Sequence, residues 1–144
     1  MRKMIRIGLI LLCICIVPLT SVAGDFNGSR SLLFSVISAM ECTPDNGCRS
    51  VTIESMDLPR FLKIDFNKKT IGTVSESDVR PDSAIERMER VDGKLILQGA
   101  EDGYESVRDG LGWTIAIAED TGGVVMTASG NQVAFVVFGA CLPL

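Results

Sequence analysis

Acidic side chains crowd one stretch of this chain, where Glu101, Asp102, Glu105 and Asp109 fall within the glycine-bearing segment 101–109. Paired carboxylates run glycoside hydrolysis without histidine, one as the acid and the other as base or nucleophile. The same oxygens, or those of Glu119 and Asp120, offer ligands to calcium, although neither group has the alternating ligands and central glycine of an EF-hand loop. Acidic residues in a glycine-bearing loop are, however, usually solvated turn residues. The chain has no histidine, which excludes Ser-His-Asp and Cys-His catalysis, since both need an imidazole to carry the proton. Tyr104 and Trp113 are the aromatic candidates for a binding surface, because large amphipathic rings anchor interfaces. Trp113 also opens an alternating run, which suits a core position.

The other reactive residue type is cysteine. Cys42 and Cys48 bracket Thr43-Pro44-Asp45-Asn46-Gly47, a run of turn formers that brings its flanks within bridging distance. The spacing therefore predicts a Cys42–Cys48 disulfide. The alternative pins Cys141, three residues from the C-terminus, to one of the other two, closing a longer loop that stabilises more in the chain-entropy model. Left unpaired, Cys141 sits between Ala140 and Leu142 with no neighbouring base or cation, the setting of an inert thiol. Three thiolates without histidine make an incomplete zinc site, and no motif for a metal or cofactor stands out elsewhere.

This cysteine arithmetic rests on the N-terminus. Arg2, Lys3 and Arg6 precede the apolar stretch 7–17, Pro18 ends it, and Ser21 and Ala23 lie three and one positions before a cut ahead of Gly24. That is the pattern of a cleavable signal peptide over residues 1–23, and about 11 apolar residues fall short of the roughly 20 that span a bilayer. Cleavage would remove Cys13 and Cys15 and leave one exported domain, 24–144, in a periplasmic or extracellular space that permits disulfides. It also takes three of the 14 basic residues and none of the 18 acidic ones, giving a formal charge of −7. An acidic domain without a basic stripe is unsuited to nucleic acid or anionic headgroups, which require clustered Lys and Arg.

The elements that must position these residues are strands. Trp113, Ile115 and Ile117 alternate with Thr114, Ala116 and Ala118, and a turn at 119–123 leads to a short strand, Val124 to Thr127. Val133 to Ala140 is apolar on both faces and so predicts a strand buried on both sides. Leu62 to Phe66 and Thr70 to Val74 form a hairpin, and Asp92-Gly93 joins Ile85–Val91 to Lys94–Gln98 by a favoured two-residue connection. Ser83 with Glu86 competes there as a helix-capping pair, and Leu32 to Met40 suits strand or helix. The count is seven or eight short antiparallel strands, an all-β small barrel or sandwich with room for one short helix. Asp78–Ser83 and Glu101–Leu111 are the two long loops, where a site would sit.

Three segments carry a likeness: the Cys42–Cys48 loop, Leu58-Pro59-Arg60-Phe61-Leu62-Lys63-Ile64-Asp65, and Phe138-Gly139-Ala140-Cys141. Together they resemble a group of small exported proteobacterial proteins to which no chemistry is attached. The resemblance implies a bacterial, periplasmic setting and an antiparallel β-fold, and carries over no functional residue. The function expected is non-enzymatic binding of a protein partner or a small apolar ligand. The alternatives are a carboxylate-based hydrolase or calcium-binding protein using the 101–109 loop, and a structural envelope protein.

Overall fold

The alternation that begins at Trp113 sets the architecture, because Trp113, Ile115 and Ile117 all turn inward and are buried. A computed structural model describes residues 25–75, 80–103, 106–107 and 109–144. The expected signal segment, 1–23, lies outside the described residues. The fold is all-β. Its strands are β1 (Leu32–Thr43), β2 (Gly47–Val51), β3 (Phe61–Asp65), β4 (Thr70–Thr73), β5 (Ser83–Ala84), β6 (Arg87–Val91), β7 (Lys94–Glu101), β8 (Leu111–Ala118), β9 (Gly123–Ser129) and β10 (Ala134–Pro143). The described residues hold ten strands rather than seven or eight, and their helix is limited to one 3-10 turn at Glu54–Met56.

All pairings are antiparallel, in the order β5-β4-β3-β1-β10-β9-β8-β7-β6, with β2 folded back on the second half of β1. The sheet curls into a half-barrel, and its two ends approach at one corner. There the Ile85 N–H donates to the Lys69 carbonyl beside β4 (2.8 Å), and the Glu86 N–H donates to the Gln98 carbonyl on β7 (2.9 Å). The chain thus passes from one end of the sheet to the other in two residues. No helix forms at this corner although Ser83 and Glu86 have capping-box spacing. The Ser83 hydroxyl instead accepts a hydrogen bond from Trp113 Nε1 at 2.9 Å, so a tertiary partner outcompetes the local cap.

The concave side holds the core. Leu32 and Phe34 from β1, Ile64 from β3, Leu95 and Leu97 from β7, Ile115 and Ile117 from β8 and Val137 from β10 are almost wholly removed from water. Burying each contributes about 1.5–3 kcal/mol. Phe26, from the segment before β1, covers the end of the half-barrel where the β8–β9 turn lies. Its ring stands 2.6 Å from where a side chain on Gly122 would begin, and Gly122 has φ +71°, so a larger residue there meets both strain and a clash. Asp92 (φ 49°) and Gly93 (φ 71°) make the left-handed pair that the β6–β7 hairpin requires.

Two expectations change. β10 is not buried on both faces: Phe138, between Ser38 on β1 and Val125 on β9, is 40% exposed on the convex side. Apolar outward residues followed from the strand's central place in the sheet, yet no second layer covers them among the described residues. β1 is a strand throughout, with an irregularity between Val36 and Ser38 that leaves Ile37 69% exposed. Such a bulge lets the inward alternation restart one residue later, at Ala39. Among the described residues no helix is long and apolar enough to cross a membrane.

Candidate functional site

Among the described residues, the end of the half-barrel opposite Phe26 is left open. A cleft of about 770 Å³ lies there, within the size range of small-molecule sites. Its walls are apolar: Leu62, Ile71, Trp113, Met126, Phe135 and Val137 come from β3, β4, β8, β9 and β10, each from the inward face of its strand. The period-two alternation places them. In β9 the inward set is Val124, Met126 and Ala128, and in β10 it includes Phe135 and Val137.

The rim comes from the loops that the sequence singles out. Arg80, Pro81 and Asp82 belong to one of them, Asp102, Gly103 and Asp109 to the other, and Asp57, Leu58 and Pro59 to the segment before β3. Of the acidic cluster, Glu101, Asp102 and Asp109 line the cleft, whereas Glu105 and Tyr104 lie outside the described residues. Asp82 is held in place: Thr70 Oγ1 donates to its Oδ2 at 3.2 Å, and its Oδ1 occupies the space that a side chain on Gly72 would take. Asp109 likewise fills the space beside Gly103. Arg80 Nη1 donates to the Asp57 carbonyl at 2.5 Å and lies 3.6 Å from its carboxylate.

Trp113 is 4% exposed. It is therefore no surface anchor but part of the cleft wall, its indole fixed by Ser83. Ser83→Ala would leave that N–H without its partner and is expected to lower stability by about 1–3 kcal/mol. Urea denaturation followed by Trp113 emission measures this, since the chain has one tryptophan. Opposite the indole, Gly99 allows close approach: a Cβ there would come within 2.4 Å of both the Trp113 ring and the Ala84 carbonyl.

The remaining chemistry-bearing residues lie elsewhere. Cys42 and Cys48 are joined, with sulfurs 2.02 Å apart, across a register pair of the β1–β2 hairpin. Cys141 is buried and unpaired. Burial pushes its thiol up to about 12 from an ordinary 9.0, which is the condition of an inert cysteine. The unfolded thiol ionises from pH 9 while the folded one stays protonated. The contribution of this thiol to stability is therefore full below pH 9 and falls between pH 9 and 12, by up to about 1.4 kcal/mol per pH unit. Cys141→Ala should flatten that part of the stability–pH curve, and native protein should resist a thiol reagent until unfolded.

Two carboxyls are shifted downward by nearby donors. The Asp65 carboxyl is lowered first by the Lys68 backbone N–H and then by Lys63, and the Glu54 carboxyl by its own backbone N–H and by Arg60. Neither belongs to the cleft. Glu119 pairs with Arg90 (3.0 Å) near the covered end of the barrel. Among the described residues no group of three or more His, Cys, Asp or Glu side chains could hold a metal ion.

The cleft was not legible in the sequence as one site, because its walls come from strands far apart in the chain. Only its loops carried a local signal. Comparison with family models, with curated proteins and with solved structures finds no match to this chain.

Proposed function

We propose that this protein is a non-enzymatic binding domain that holds a small apolar ligand in the open end of its half-barrel. One observation carries the reading: an apolar cleft of about 770 Å³, walled by Leu62, Ile71, Trp113, Met126, Phe135 and Val137 and rimmed by polar loops. Concave apolar walls with a few polar groups at the edge are the usual form of a small-molecule site. A ligand burying roughly 200 Å² of apolar surface there gains about 5 kcal/mol before the costs of association. That favours a small ligand over a protein partner, for which a recessed cleft offers little flat contact area.

The proposal places the domain outside the reducing cytoplasm. The signal-like segment 1–23 and the Cys42–Cys48 bond support this location. The test is titration with the neutral fluorophore N-phenyl-1-naphthylamine. Saturable one-to-one binding with quenching of Trp113 emission is expected. Absence of saturable binding would overturn the reading.

A further inference from the structure

The described residues at the rim of the cleft carry an excess of acid. Among the described lining residues Asp57, Asp82, Glu101, Asp102 and Asp109 are acidic and only Arg80 is basic. Arg80 is held by Asp57, through both its carbonyl and its carboxylate. Among the described residues no cation pairs with Asp82, Glu101 or Asp102. Asp82 is also fixed rather than free to swing away, because Thr70 holds one oxygen while the other packs over Gly72. A carboxylate immobilised at the mouth of an apolar cleft has already lost the side-chain entropy that usually cancels the gain from an ion pair.

Building on the ligand-binding reading, we infer that the occupant is a cationic amphiphile: an apolar body in the cleft and an amine or quaternary ammonium group at the acidic rim. The two halves of the cleft ask for different chemistry. The wall from Leu62 to Val137 takes hydrocarbon or ring carbon, and the rim attracts positive charge and repels carboxylate, sulfate or phosphate. The rim carboxylates are exposed to water, so each acts weakly, and together they should favour the cation over an anion of equal chain length by about tenfold at low salt. The preference should shrink to about threefold near 0.5 M salt, where exposed charges are screened.

The experiment displaces N-phenyl-1-naphthylamine from the purified protein with decyltrimethylammonium, decanoate and decanol, which share one chain length. It is repeated on Asp82→Asn/Asp102→Asn, and on Asp92→Asn/Asp120→Asn, which remove equal charge from turns at the covered end. The inference predicts that decyltrimethylammonium displaces the fluorophore at about one tenth the concentration of decanoate, with decanol between them. The rim pair of substitutions should narrow that gap and the distant pair should leave it. Equal displacement by all three, or preference for decanoate, would overturn the inference while leaving the apolar cleft standing. A gap narrowed equally by both pairs would overturn it too, since overall charge and not the rim would then be responsible. If the fluorophore itself does not bind, the ligand-binding reading falls with it.

Discussion

Replacing Phe34 with alanine is expected to destabilise the protein by about 3–5 kcal/mol, a large share of the roughly 5–15 kcal/mol that holds a domain together. The ring lies at the centre of the concave face with no exposure to water. Its β1 position pairs with Leu62 of β3 on one side and Cys141 of β10 on the other. Its edge stands 2.4 Å from where a side chain on Gly139 would begin, so the bare glycine exists to receive it. Truncation leaves a void that two central strands and β3 all border, and strands locked in register cannot close it. Phe138→Ala is the contrast. That ring is on the convex face, and its loss should cost within about 1 kcal/mol. Urea denaturation midpoints for both variants, at unchanged slope, measure the difference. Equal losses would mean that the concave and convex faces are wrongly assigned.

Filling the cleft should weaken binding strongly without unfolding the domain. Ala128, on the inward face of β9, is buried and lines the cleft. Ala128→Phe places a ring into space the ligand would use, and affinity for N-phenyl-1-naphthylamine is expected to drop about a hundredfold, or about 2.7 kcal/mol. Overpacking a filled core costs about 1–3 kcal/mol, but here the open cleft can accept the ring, so the stability loss should fall at the lower end. Fluorophore titration beside a thermal melt separates the two effects. Unchanged affinity in a folded Ala128→Phe protein would place the ligand elsewhere.

Some of this molecule is written locally in its sequence. The alternation of Trp113, Ile115 and Ile117, the Asp92-Gly93 turn and the Cys42–Cys48 loop each depend on neighbours a few residues away, and each appears in the structure as expected. Other features depend on distant partners. Ser83 carries the signature of a helix cap, but Trp113, thirty residues on, claims its hydroxyl. Val133 to Ala140 is apolar on both faces, yet apolarity cannot reveal whether a second layer exists to cover Phe138. The bulge at Ile37 has no glycine to announce it and follows from the register between β1 and β10. The loops 78–83 and 101–111 were identifiable as places for a site, since acidic and turn-forming residues mark exposed chain. What they surround was not, because Leu62, Ile71, Met126 and Phe135 look like ordinary core residues until the sheet curls and leaves them facing an opening.

The methionines offer the most direct test of the central claim. Met56 and Met126 line the cleft, Met88 is on the exposed strand β6, and Met40 sits on β1 between Ser50 and Val136. With ¹³C-labelled methionine methyl groups, addition of N-phenyl-1-naphthylamine should shift the Met56 and Met126 signals in a saturable manner and leave Met40 and Met88 in place. Shifts confined to Met40 or Met88, or no shift at Met56 and Met126 under saturating fluorophore, would contradict a ligand site in the open end of the half-barrel.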